Sequence, residues 1–450
     1  DGGPVLAIAE DPVDKDLIFV GTEYGLFFTT NGGAKWTRLR NGLPTIAVRD
    51  LHIQKQMGDL VIGTFGRSIW ILDDYTPLRH ASTEQLAAEN ATIFPVRDAY
   101  FYIPANQFGG GGKAHLGEQL YTAENPPMGA MITYYVKTAP QTLRAKRLAD
   151  ERAAERDGGK IHYPTLDELR AEEEEEAAQV AVTITDANGN FVRQLNSPAA
   201  AGMRRVNWDM RSASITVPPA PAAGGDLGGG RGGRGGGGGG GGFGGGGGGG
   251  PYVVPGKYKV SISLISGGTT TKLAGPVEFN VVALDVQPLS PAERAAKEAF
   301  QKKAAKLQAA VTAALEIATN NDTELATVKR ALTAFPGSDS ALLKTTEDLK
   351  KRNDKILLDL RGDNFARTHE QQTPASISQR IGRVVQGTGS NTARPTKTLE
   401  DDYKYAAQAF APVLAQLRLL VEVDLPKLDK SLDAAGVAHT PGRVPNWKDQ

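Results

Sequence analysis

The sequence predicts a multidomain β + α chain, and three observations carry that expectation. Two N-terminal segments repeat, with the Gly21 of one and the Gly63 of the other 42 residues apart. The middle of the chain is a series of strand-like runs interrupted by a charged insertion and a glycine tract. The C-terminal part reads in helical periods with capping residues at the helix starts. Period, alternation and capping are the primary signals of such organisation.

The repeat is read by laying Asp16-Leu17-Ile18-Phe19-Val20-Gly21-Thr22 over Asp59-Leu60-Val61-Ile62-Gly63-Thr64. Each Gly-Thr is followed by a short turn, Glu23-Tyr24-Gly25 or Phe65-Gly66-Arg67, and then an apolar strand, Leu26-Phe27-Phe28 or Ile69-Trp70-Ile71-Leu72. Each is preceded by another strand, Val5 to Ala9 or Ala47 to Ile53. The spacing is close to the ~40–45 residues of a four-stranded propeller blade. Residues 1–80 are therefore expected to be the last blades of a β-propeller, with the missing blades upstream of Asp1. No fourth strand for the second blade is evident after Asp74, so that strand is expected from upstream sequence.

Within the first unit, Thr29-Thr30-Asn31-Gly32-Gly33-Ala34-Lys35-Trp36 resembles an Asp-box, Ser/Thr-x-Asp-x-Gly-x-x-Trp, of the BNR-type propellers. The resemblance implies a hairpin turn in which Thr29, Asn31, Gly33 and Trp36 are structural. Gly32 and Gly33 permit backbone angles closed to other residues. Asn31 replaces the usual Asp; it can still accept turn amides, while a cation-binding role is weakened. Trp36 is expected to pack between blades as an apolar wedge. Together with Gly63-Thr64-Phe65-Gly66-Arg67-Ser68-Ile69-Trp70-Ile71-Leu72-Asp73-Asp74, the pattern is similar to bacterial exported proteins of the sortilin-like, "glycosyl hydrolase-like" group. It covers about the first fifth of the chain.

Arg67, Asp73 and Asp74 are further candidate site residues. Glycosidases set two carboxylates across a substrate, roughly 5–10 Å apart. Neighbours on a strand point to opposite faces, so Asp73 and Asp74 alone do not form that device. They read better as a polar strand end leading into Tyr75-Thr76-Pro77.

Residues 81–127 read as a linker: a short helix at Ser82 to Asn90, an extended run from Ala91 to Ile103, then Gly109-Gly110-Gly111-Gly112 and Pro126-Pro127. Residues 128–285 follow with strands at 130–137, 180–185, 191–195, 202–209, 256–264 and 277–284. Asn188-Gly189 supplies the positive φ of a hairpin turn. Ile184-Thr185-Asp186-Ala187-Asn188-Gly189, Val206-Asn207-Trp208-Asp209 and Pro255-Gly256-Lys257-Tyr258-Lys259-Val260 resemble, in order, the blocks of a FlgD-type Ig-like module. The resemblance implies an Ig-like β-sandwich, a spacer or docking unit, with Trp208 and Tyr258 in its core. Two insertions interrupt it. Residues 138–178 are basic and then acidic and suit two exposed helices of opposite charge. Residues 223–250 are nearly all glycine, with Arg231, Arg234 and Phe243; their composition reads as a disordered loop rather than an RNA-binding segment or a phosphate loop.

Residues 286–450 read as a helical bundle. Ser290-Pro291-Ala292-Glu293 has a Ser cap, Pro at the first position and a Glu three residues after the cap. Helices are expected to Thr319, from Asp322 to Ala334 before Pro336-Gly337, from Ser338 to Leu360, after Thr373-Pro374-Ala375-Ser376, from Thr398 to Val423 and from Leu425 to Ala435. Leu343, Leu349, Ile356, Leu360, Leu414, Leu417 and Val421 sit at core spacing. Lys302, Lys303 and Lys306 read as a solvated face, and the tail is turn-rich to Trp447.

Composition narrows the function classes. Lys+Arg and Asp+Glu are 51 each, which removes the simplest argument for a nucleic-acid partner. With no cysteine there are no disulfides, thiolate metal sites or cysteine nucleophiles. No run reaches the ~18 apolar residues of a membrane helix. The histidines at 52, 80, 115, 162, 369 and 439 lack ligand spacing, and neither a Gly-x-Ser-x-Gly elbow nor a dinucleotide fingerprint is present. No cofactor or metal is expected. The expectation is a non-catalytic C-terminal part of an exported, periplasmic or extracellular propeller protein. It would bind protein or carbohydrate through the full propeller, and an assembly partner through the helical domain. The alternative is the non-catalytic portion of a glycoside hydrolase whose active site lies in upstream blades.

Overall fold

Alternating apolar runs make sheets and longer helical periods make a separate helical body. The computed structural model describes residues 2–40, 42–82, 86, 88–103, 123, 125–214, 250–284, 289–334, 340–389, 391–438, 440 and 442–443. It divides into a sheet-rich unit, residues 1–213 with 255–284, and a unit of residues 214–254 with 285–450.

Two antiparallel meanders begin the first unit. Strands β1 (Val5–Glu10), β2 (Ile18–Thr22), β3 (Gly25–Thr29) and β4 (Thr37–Leu39) form one sheet in sequential order. Strands β5 (Val48–Gln54), β6 (Asp59–Thr64) and β7 (Ile69–Leu72) form the next. Alternation sends Phe19 and Leu26 of the first sheet, and Leu51, Ile53, Leu60 and Ile62 of the second, into one shared core closed by Tyr75 and Leu78. The two sheets approach so closely that a Cβ on Gly21 would lie 2.6 Å from Cγ1 of Val48. That contact explains the glycine of the first Gly-Thr. The side chains on the other face are left uncovered: Ile8 is 67% exposed, Ile69 66% and Ile71 59%. After β7 the chain enters a 3-10 turn, Thr76–His80.

Trp36 departs from expectation. It is 43% exposed rather than wedged between sheets. Its ring lies beside Gly33 of its own turn, and Trp70 instead packs against the shared core.

The segment read as a linker also departs. Ala91–Ile93 (β8) pairs with β10 (Ala130–Val136), and Ala99–Phe101 (β9) pairs in parallel with β15 (Thr269–Ala283). Both runs are three residues long, too short to show alternation, and they cover sheet edges that would otherwise present unpaired backbone groups. In the expected helix at 82–90, residues 83–85 and 87 lie outside the described residues, as does the glycine run at 109–112.

Strands β11 (Gln179–Asp186), β12 (Phe191–Pro198), β13 (Gly202–Trp208) and β14 (Gly256–Ser266) complete two sheets. Their orders are β13-β10-β8 and β12-β11-β14-β15-β9. At the β11–β12 turn, Asp186 Oδ1 accepts from the amides of Asn188 at 2.9 Å and Asn190 at 2.8 Å. Gly189 takes φ +85° there. The sheets meet through Trp208, which lies edge-on to Tyr258 at 5.2 Å and to Phe279 at 5.9 Å. The charged insertion forms helices α1 (Leu143–Arg156) and α2 (Leu166–Glu174). Arg147 of α1 meets Glu172 of α2 at 2.5 Å and Glu151 at 2.6 Å. Most of the glycine tract, residues 215–249, lies outside the described residues.

The second unit is helical. Its first helix, α3 (Pro291–Ala334), is continuous where the sequence reading breaks it near 320. Asn320-Asn321-Asp322 contains neither Pro nor Gly, so nothing in it stops a helix, although the buried Asn321 Nδ2 and Asn353 Oδ1 have no hydrogen-bond partner among the described residues. Asn353 Nδ2 donates to the Ala318 carbonyl at 2.8 Å, while Thr319 and Thr323 donate to carbonyls one turn back. Then come α4 (Ser340–Arg361), α5 (Asn364–Thr368), α6 (Ile377–Gly389), α7 (Lys397–Leu419), a π segment (Leu420–Asp424) and α8 (Leu425–Ala434). Leu349, Ile356, Leu360 and Leu417 lie in one core, with Leu343, Leu414 and Val421 packed against it. Lys302, Lys303 and Lys306 are exposed, as the sequence reading expects, and the Lys303 ammonium sits 4.6 Å from the centre of the Tyr403 ring. Because α7, the π segment and α8 run on without interruption, Lys397–Ala434 is long and apolar enough to cross a membrane by length and composition. The sequence pattern alone places a break after Val423. Its Phe410, Val413, Leu417, Leu420, Leu428 and Leu432 are core residues of the helical unit.

Candidate functional site

The Thr29–Trp36 turn is held by its own side chains. Thr29 Oγ1 donates to Asn31 Oδ1 at 2.8 Å and accepts from the Gly33 amide at 3.0 Å. Asn31 Oδ1 also accepts from the Lys35 amide at 2.9 Å. Gly32 and Gly33 take φ +64° and +98°. Asn31 thus spends its carbonyl oxygen on the turn, and Thr29, Asn31, Gly33 and Trp36 are brought together as one loop.

The charged groups of the unit gather elsewhere, around the 3-10 turn after β7. Asp11, at the end of β1, is buried and receives five donors. Arg79 binds it through Nε at 2.9 Å and Nη2 at 2.8 Å, and the Tyr75 hydroxyl donates at 2.5 Å. The amides of Val13 and Asp14 donate at 3.1 and 2.7 Å. Burial pushes the Asp11 carboxyl upward, but Arg79, Tyr75 and the two amides outweigh it and hold the group below its ordinary range. Burial and the Asp11 charge together push the Tyr75 phenol up.

Beside this knot lies a second. Arg97 donates to the Met57 carbonyl at 2.5 Å and stands 3.5 Å from Asp59 and 3.9 Å from Asp74. The Asp74 amide donates to Asp59 Oδ1 at 2.8 Å, and Thr76 Oγ1 donates to Asp74 Oδ1 at 2.6 Å. Arg205 of β13 donates to the carbonyls of Asp73 and Asp74, each at 2.6 Å, and to Thr133 Oγ1 at 3.1 Å. Burial, then the nearby charge of Asp59, raise the Asp73 carboxyl above its ordinary value despite Arg205 and Arg97.

Asp73 and Asp74 therefore lie at a junction rich in arginine, and Asp74 is buried with φ +46°. Arg67 is at the exposed β6–β7 turn, where its carbonyl accepts from Trp70 Nε1 at 3.0 Å; it does not join them. Sequence reading missed Asp11, Tyr75, Arg79, Arg97 and Arg205. The only local signal was Tyr75-Thr76-Pro77-Leu78-Arg79, whose proline starts a turn that carries Tyr75 and Arg79 to the same carboxylate. Among the described residues, no group of three or more His, Asp or Glu side chains is placed to hold a metal ion. No family model, curated protein or solved structure matches the chain.

Proposed function

We propose that the chain is part of an exported propeller protein and serves as a binding and scaffold module for protein or carbohydrate. The two N-terminal meanders are read as successive blades, the β8–β15 sheets as an Ig-like spacer and the helices as a docking unit. One observation carries the reading. The two meanders face each other over one core, yet Ile8 on one side and Ile69 and Ile71 on the other remain uncovered. Uncovered apolar faces at both ends of a stack are what a repeat array needs neighbours to bury. The turn bonding of Thr29 and Asn31 supports a structural part for the Asp-box-like segment. The alternative, a glycoside hydrolase whose active site lies in upstream blades, draws no catalytic pair from this chain. Asp74 is engaged by Thr76, and Asp73 is its direct neighbour rather than a partner across a cleft.

The test is a structure of the longest natural reading frame containing this segment. Further four-stranded sheets lying on Ile8 and on Ile71 are the expected result. Helices on those faces, or faces left open to solvent, would overturn the reading. A pair of acids across the central channel would favour the hydrolase.

A further inference from the structure

A cavity of about 330 Å³ opens beside the 3-10 turn, and its charged lining is entirely cationic: Lys55, Arg79 and Arg97. That volume is at the lower end of the roughly 300–1,000 Å³ of small-ligand pockets. The carboxylates of the region stand behind the arginines rather than in the wall. Arg79 commits its Nε and Nη2 to Asp11, which leaves Nη1 without an acceptor among the described residues. Arg97 commits Nη1 to the Met57 carbonyl and faces Asp59 and Asp74 only at ion-pair distance, which leaves Nη2 without one. Lys55, in the β5–β6 turn, has no ion-pair or hydrogen-bond partner among the described residues. Val13 and Met57 add apolar wall, and Thr76 closes one side.

Two guanidiniums fixed from behind, each with a spare donor nitrogen, are pre-organised for an oxyanion, because their ordering is already complete before a ligand arrives. The lone ammonium at the rim adds a mobile third donor. We infer that this pocket binds the carboxylate of a small ligand of monosaccharide size, a uronic acid being the chemical class that fits the charge, the apolar wall and the volume together. The inference is independent of the propeller reading, since it uses only side chains of the first unit.

The experiment is calorimetric titration of the full chain with D-glucuronate, D-glucose and inorganic phosphate, at low and high salt. Saturable binding of glucuronate, none of glucose, and loss of affinity with added salt are expected. Lys55→Glu is the variant, because Lys55 is at a turn and makes no contact the fold requires. It should weaken glucuronate at least about tenfold with an unchanged thermal unfolding curve. Phosphate binding as tightly as glucuronate, and equally sensitive to Lys55→Glu, would keep the oxyanion pocket and overturn its assignment to a sugar acid. No saturable binding of either anion, or binding that ignores Lys55→Glu, would overturn the site.

Discussion

Arg79 meets Asp11 edge-on, through Nε at 2.9 Å and Nη2 at 2.8 Å, across 68 residues of sequence. This paired geometry is the strongest form of a guanidinium–carboxylate contact, and here the Asp11 side chain is fully out of solvent. It ties the end of β1 to the turn that follows β7, and so locks the two meanders together.

Asp11→Asn should destabilise the sheet-rich unit by about 3 kcal/mol, because it leaves the Arg79 charge without its partner. The effect depends on pH with a definite sign. The folded Asp11 carboxyl titrates below its ordinary value of 3.8, so its stabilisation is fully present above that value and is lost as pH falls through the folded pKa. Urea unfolding at pH 7 and at pH 3 checks this: the gap between wild type and Asp11→Asn should be wide at the first and narrower at the second.

Asp73 has the opposite sign. Its folded pKa is raised, by burial and by Asp59, so the fold favours the protonated form and the group costs stability once it ionises. Asp73→Asn should therefore raise the unfolding midpoint at pH 7 and leave it nearly unchanged at pH 3. The Asp73 contacts to Arg205 use the backbone carbonyl and survive the substitution. A lower midpoint at pH 7 would refute the assignment.

The tryptophans separate core from surface. Trp208 is fully buried between two sheets, and Trp208→Ala should cost about 3–5 kcal/mol. Trp36→Ala, at an exposed site, should cost under about 1 kcal/mol. Parallel denaturation of the two variants decides the point.

Helix α3 is continuous through Asn320, an exposed interior position. Asn320→Pro should cost about 3 kcal/mol or more, since it removes a mid-helix donor and clashes with the preceding turn. Two separate helices joined at this point would accept proline with little loss. Thermal unfolding followed by circular dichroism distinguishes them.

These cases show what was legible in the sequence. The hairpin at Asn188-Gly189, the capped start at Ser290 and the apolar stripe of Leu349, Ile356 and Leu360 are local, and local chemistry writes itself into short windows. Trp208 and Tyr258 are recognisable as core aromatics from their motif blocks, and both are buried. Trp36 was read from its motif as well, but whether a ring is covered depends on the sheet that lies over it. The proline of Tyr75-Thr76-Pro77 marks the turn that carries Arg79, but its pairing with Asp11, and the placing of Arg97 beside Asp59 and of Arg205 beneath Asp73, leave no signal, because separation along the chain carries no record of which turn folds back on which strand. The break expected near Asn321 followed helix propensity, and burial against α4 overrode it.

Strand β9 carries a consequence for how the protein is made. Its partner is β15, with Ala99 opposite Val281, and Asn280 Nδ2 reaches Asp98 across 182 residues. Contacts so distant in sequence form slowly, since a long loop must close before they return any energy. A ribosome releasing this chain exposes residues 99–101 well before residues 281–283 exist. The N-terminal meanders, whose partners are neighbours, can assemble during synthesis. The β14–β15 hairpin must arrive before the five-stranded sheet can close, and a chain halted upstream of Gly256 would leave β9 and β11 with open edges, the kind of intermediate that aggregates.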